Sequence, residues 1–187
     1  MATRIVIASQ KGGVGKTTVA LHLALALAER GRSVLLVDLD PQGGIGLSLA
    51  RGDAELKGLA DLLMGQIKPA EAVVQTHVPK LSLLPRGRLD PVDTCDFEQA
   101  LFAPGVLEGT LRDVEGAFDL VLLDTPSGMG MITRGALRAA SFVLLPFQAA
   151  SLSLRSISQA LRVVEHVKTS ENPDLALLGI LPTMANR

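Results

Sequence analysis

The stretch that most constrains this chain is Gln10-Lys11-Gly12-Gly13-Val14-Gly15-Lys16-Thr17-Thr18, between an apolar β-branched run and an apolar helical pattern. Three glycines in four positions let successive backbone amides turn toward one point, and the following helix adds the positive end of its dipole. Lysine and threonine at the helix start then suit phosphate oxygens and a hard divalent cation. The general phosphate-binding pattern is Gly-x-x-x-x-Gly-Lys-Ser/Thr. Its end is present as Gly15-Lys16-Thr17, whereas its opening glycine is replaced by Gln10. The loop therefore reads as an anion cradle formed by Gly12, Gly13, Val14, Gly15, Lys16, Thr17 and Thr18, in a variant form with an additional Lys11.

The pattern around the loop sets the fold class. Arg4–Ser9 reads as a strand, Gly15–Arg30 as a buried helix, and Ser33–Asp38 as a second apolar strand. Leu56–Met64 reads as a short helix and Lys80–Leu84 as a strand. Phe97–Val114 reads as helix interrupted at Pro104-Gly105. Phe118–Leu123, Phe142–Leu145 and Leu175–Leu181 follow as strands, with helices at Met131–Ala140 and Leu152–Thr169. This alternation predicts an α/β domain with a doubly wound, mostly parallel sheet and helices on both faces. Ligands of such sheets sit beyond the carboxyl ends of the strands. Two carboxylate segments fall there, Asp38-Leu39-Asp40-Pro41-Gln42-Gly43 and Asp124-Thr125-Pro126.

Composition removes other classes. The single cysteine, Cys95, excludes a disulfide framework, a paired redox motif and a cysteine-built cluster within one chain. Its acidic neighbours Asp93 and Asp96 disfavour a thiolate. With five Phe and neither Tyr nor Trp, a base-stacking platform is disfavoured. The net charge of -1 argues against a strongly basic protein, yet leaves room for a local basic face. Arg134, Arg138, Arg155, Arg162 and Lys168 are candidates for one, on helices of the second half. His22, His77 and His166 show no metal-ligand spacing.

The segment Lys11-Gly12-Gly13-Val14-Gly15-Lys16-Thr17-Thr18 resembles the deviant Walker A motif of the ParA/MinD family of P-loop ATPases. Asp38-Leu39-Asp40-Pro41-Gln42-Gly43 resembles that family's second motif, with Gly44 where Asn is usual. Asp124-Thr125-Pro126 resembles its third, with Ser127 in place of a second proline. The resemblance implies ATP and Mg2+ as cofactors and an ATP-dependent homodimer, with Lys11 reaching the partner's nucleotide. It implies catalytic roles for Lys11, Lys16 and Asp40, the last orienting the attacking water. Thr17, Asp38 and Asp124 are implied around the metal. It further implies slow ATP hydrolysis stimulated by a ParB-like or other partner, nonspecific DNA binding, and a cytoplasmic, nucleoid-associated role in positioning DNA or other cargo. A MinD-like membrane-positioning ATPase and an amide-forming biosynthetic enzyme are the alternatives. Residues 1–187 are expected to form one ATPase domain, and family members usually continue with further strand and helix. A membrane contact is expected only through such a tail.

Overall fold

A computed structural model describes residues 2–45, 56–149 and 153–184. The element order among them is β1 (Thr3–Ile7), α1 (Lys16–Glu29), β2 (Val34–Asp38), α2 (Leu59–Leu63), α3 (Pro69–Ala72), β3 (Val74–Gln75) and β4 (Leu81–Leu84). There follow α4 (Thr94–Phe102), α5 (Val106–Val114), β5 (Leu120–Asp124), α6 (Met131–Ala139), β6 (Phe142–Gln148), α7 (Ser153–Ser170) and β7 (Ala176–Thr183). The expected helix start at Leu152 lies outside the described residues.

The seven strands form one sheet in the order β3-β4-β2-β5-β1-β6-β7. Every pairing is parallel except β3 with β4. The doubly wound expectation holds, and the reason is burial. Residues of β1, β2 and β5 alternate between two apolar clusters, one on each face of the sheet. Val6, Leu35, Val37, Val121 and Leu123 face α2 to α7. Ile5, Ile7, Val34, Leu36 and Leu122 face α1, which meets them with Ala20, Ala24 and Ala28. Alanines at that spacing let the helix lie close to the sheet, which holds the phosphate loop at its N-terminus against the strand ends.

The interruption expected at Pro104-Gly105 is present: the stretch 97–114 is two helices, with Gly105 at a left-handed φ of 80° between them. Two features differ from the sequence expectation. The short α3 and β3 carry little periodicity and are recognisable only through their contacts. β6 runs to Gln148, three residues past Leu145, because it pairs along its length with β7.

Gly135 marks a tight contact between α6 and α4, since an added Cβ would lie 2.4 Å from the Leu101 carbonyl oxygen. Gly135→Ala is expected to cost about 1–3 kcal/mol through overpacking, read as a lower urea midpoint with unchanged slope. An unchanged midpoint would show that α6 can shift freely.

Candidate nucleotide site

β1 delivers the chain to the phosphate loop at the centre of the sheet. Ser9 Oγ donates to the Lys11 carbonyl at 2.8 Å, and the Ser9 carbonyl accepts from Gly128 N at 3.0 Å. Gly13 and Gly15 adopt left-handed φ values of 71° and 86°, which side chains resist. Gly15 is the N-cap of α1, with no side-chain cap and no acidic residue in the first turn. The positive end of the helix is thus directed to an outside anion. Thr183 Oγ1 donates to the Val14 carbonyl at 2.8 Å and bonds the Phe147 carbonyl at 3.0 Å. The end of β7 therefore braces the loop, a role that sequence spacing did not reveal.

Lys16 and Thr17 open α1 beneath this cradle. Lys16 is buried, and its Nζ donates to Ser127 Oγ at 3.3 Å. Burial lowers its pKa, while the carboxylates of Asp124 and Asp40 pull the other way. Thr17 Oγ1 donates to Asp124 Oδ2 at 2.7 Å. The other oxygen, Asp124 Oδ1, is buried and has no hydrogen-bond partner. Burial raises the Asp124 carboxyl to about 6, against lowering by the Thr17 hydrogen bond and the Lys16 charge and a further rise from Asp40. A buried carboxylate oxygen without a partner is costly, and a hydrated cation supplies what it lacks.

Asp38 and Asp40 end β2 in different environments. Asp38 is fully buried. Its Oδ1 accepts from Asp40 N and its Oδ2 from Ile45 N, each at 3.0 Å. It fastens the following turn from below. Asp40 is half-buried, its Oδ1 accepts from Gln42 N at 2.9 Å, and its carbonyl accepts from Gly43 N at 2.8 Å. A Cβ on Gly44 would lie 3.2 Å from Thr17 Oγ1, so this segment folds back onto the start of α1. The structure thus gathers Lys16, Thr17, Asp38, Asp40 and Asp124 around one point, with Lys11, Gly12, Gly13 and Thr18 exposed at its rim and Val14 buried beneath.

No group of three or more His, Cys, Asp or Glu that could hold a metal occurs among the described residues. A cation here would take one hydroxyl, one or two carboxylates through water, and oxygens of the ligand itself. That donor set suits Mg2+, which keeps much of its hydration. Sequence reading also missed Arg86, whose Nη1 donates to the Pro41 carbonyl at 2.6 Å.

The expected basic face changes in the structure. Arg134 Nε donates to Glu171 at 2.6 Å, and Arg138 bonds Glu108 at 3.1 Å and the Phe102 carbonyl at 2.7 Å. Both guanidinium groups also stand over the Phe102 ring. These two arginines join α6 to its neighbours, whereas Arg155, Arg162 and Lys168 are exposed on α7. No described helix is long and apolar enough to cross a membrane.

Fold and site together define a P-loop nucleotide-binding protein. The family model described as "AAA domain" matches residues 2–177. The chromosome partitioning protein ParA of Caulobacter vibrioides is 36% identical over 190 residues, covering 98% of this chain and 70% of that protein. The chromosome-partitioning ATPase Soj of Thermus thermophilus is 44% identical over 185 residues, covering 97% and 69%. Among solved structures, cobyrinic acid a,c-diamide synthase from Mycobacterium smegmatis with bound ADP and magnesium superposes with a TM-score of 0.85. It is 38% identical and covers 97% of this chain and 74% of that one. MinD of Pyrococcus horikoshii complexed with Mg-ADP gives 0.79 at 29% identity, covering 96% and 69%. This chain belongs to the ParA/MinD family of P-loop ATPases, with a ParA/Soj-like sequence.

Proposed function

We propose that the chain is a ParA-like ATPase that binds ATP with Mg2+ and uses it as a dimerisation switch to partition or position DNA or another cargo. The observation that carries this reading is the convergence of Lys16, Thr17, Asp40 and Asp124 beneath the glycine loop, with Lys11 exposed at its rim. The backbone amides of residues 12–18 receive the phosphates. Lys16 leaves Ser127 and bridges the β- and γ-phosphate oxygens. Mg2+, when bound, neutralises charge on those oxygens. Thr17 and Asp124 hold its site, and Asp38 supports it by fixing the turn that begins at Asp40.

Hydrolysis needs a water aligned with the γ-phosphorus. Asp40 presents a carboxylate near Lys16, where it can accept a hydrogen bond from that water and orient it. Water's oxygen forms the new bond to phosphorus, the bond to the β-phosphate oxygen breaks, ADP departs with that electron pair, and the water's proton passes to an oxygen of the released phosphate. Lys11 adds positive charge at the partner's transferring phosphoryl group, where charge builds up. Alignment without strong base activation suits slow turnover that a partner protein of the ParB type speeds up. Arg155, Arg162 and Lys168 offer DNA phosphates a salt-sensitive contact. These features support a cytoplasmic, nucleoid-associated protein.

The diamide synthase likeness supports a second reading, amide formation from a small acid. The partitioning relatives and the exposed Lys11 favour the switch. Light scattering with ADP and with ATP separates the two. A dimer in ATP alone, lost in Lys11→Ala, is expected. A monomer in both nucleotides, with ADP release only when a carboxylic acid is added, would overturn the switch.

A further inference from the structure

The turn bearing Asp40 is held from two sides, and only one of them belongs to the recognised motifs. On the inner side Asp38 accepts the Asp40 and Ile45 amides. On the outer side the guanidinium of Arg86, in the loop after β4, donates to the Pro41 carbonyl at 2.6 Å. Proline lacks an N–H, so this carbonyl is the only backbone hydrogen-bonding group that Pro41 offers. A charged donor on it makes a bond stronger than a neutral one.

Arg86 is itself held in place. Its Nε donates to the Gly87 carbonyl at 3.1 Å, so two arms of one planar group fix its orientation. The loop carrying it is locked onto α2. Leu59 N donates to the Pro85 carbonyl at 2.9 Å and Ala60 N to the Arg86 carbonyl at 2.7 Å. Asp61, fully buried, accepts from Gly58 N at 2.9 Å, and from Arg88 N at 3.1 Å and Arg88 Nε at 3.0 Å. Gly58 and the loop touch so closely that a Cβ on Gly58 would stand 2.2 Å from the Pro85 oxygen. A rigid platform thus presents one arginine to the residue that follows Asp40.

We infer that Arg86 is a positioning residue for hydrolysis, holding the Asp40 turn so that the carboxylate faces the attacking water. The inference rests on the water-orienting role proposed for Asp40. Arg86 acts through the Pro41 carbonyl rather than on the reacting atoms. Losing it frees the outer side of the turn while Asp38 keeps the inner side, so the carboxylate samples more orientations. ATP affinity stays, because the phosphate loop is braced elsewhere by Ser9 and Thr183.

The test compares Arg86→Ala, Arg86→Lys, Arg88→Ala and Asp40→Ala in the full chain with Mg-ATP. Arg86→Ala is expected to lower kcat about tenfold, with KM within about twofold and an unchanged melting midpoint. Hydrogen exchange without nucleotide should rise in a peptide covering residues 41–45. Arg86→Lys keeps a charged donor without the planar fork and recovers part of kcat. Arg88→Ala, which breaks the platform's own lock on Asp61, lowers the midpoint. Full kcat in Arg86→Ala beside a collapsed kcat in Asp40→Ala would overturn the role of Arg86 alone. Full kcat in Asp40→Ala would overturn the Asp40 role on which it depends. A fall in kcat and midpoint together with a rise in KM in Arg86→Ala, with no rescue by lysine, would reduce Arg86 to a structural residue.

Discussion

Asp124→Asn is expected to abolish Mg2+-dependent ATP turnover and yet make the ligand-free protein more stable at neutral pH. Burial raises the carboxyl from the ordinary aspartate value to about 6. A group whose pKa is raised on folding favours the folded state while protonated. That contribution is complete below the unfolded value and is lost as pH rises through about 6. Above it, the native protein carries a buried charge at a cost of about 3 kcal/mol. Asparagine removes the charge and can still accept from Thr17, but leaves an amide N–H without a partner, which offsets about 1 kcal/mol. A net gain on the order of 1–2 kcal/mol at pH 7.5 follows. Urea unfolding at pH 5 and pH 7.5 checks it, and the gap between variant and wild type should widen with pH. A gap of constant size would mean that Asp124 does not titrate as its surroundings imply. If Asp124 holds the cation as proposed, nucleotide binding with Mg2+ should weaken in the wild type as pH falls below about 6, because proton and cation would then compete for one carboxylate.

The second large effect is expected at Asp40. Asp40→Ala should retain ATP binding and the ATP-dependent dimer, while turnover drops by at least about a hundredfold. The reasoning is local. Asp40 lies close enough to Lys16 to influence it, is half-buried, and accepts Gln42 N through Oδ1 alone. On the proposed reading, its loss removes the oxygen that orients the attacking water and leaves the phosphate cradle as it was. Single-turnover hydrolysis and light scattering on the same sample distinguish the steps. Turnover within about threefold of wild type would remove Asp40 from the reaction.

The sequence made the centre of this site legible because its chemistry is local. Gly13 and Gly15 have left-handed conformations that side chains resist, and Lys16 and Thr17 follow at fixed helical positions. Asp124 could be read because an apolar strand ending in a carboxylate next to such a loop has few other uses. What escaped are contacts between segments distant in the chain. Thr183 reaches Val14 across 169 positions, and Arg86 reaches Pro41 across 45. Neither residue type is unusual for a loop or a strand end, so nothing local marks it. The same cause explains Arg134 and Arg138. Their charge suggested a nucleic-acid face, but α4, α5 and the end of α7 supply the carboxylates and carbonyl that hold them.

The position of β1 sets the order in which the site can be completed. The strand lies between β5 and β6, with Ile7 opposite both Asp124 and Leu144. During synthesis both strands that wall the phosphate loop arrive more than a hundred residues after it. The brace from Thr183 comes later still. Closing such long chain segments is entropically slow. The nascent chain therefore carries its glycine loop as an unformed sequence until β5, β6 and the Thr183 brace have been made. An unfinished chain cannot draw on ATP to guide its own folding; the ligand can only stabilise a sheet that has already closed.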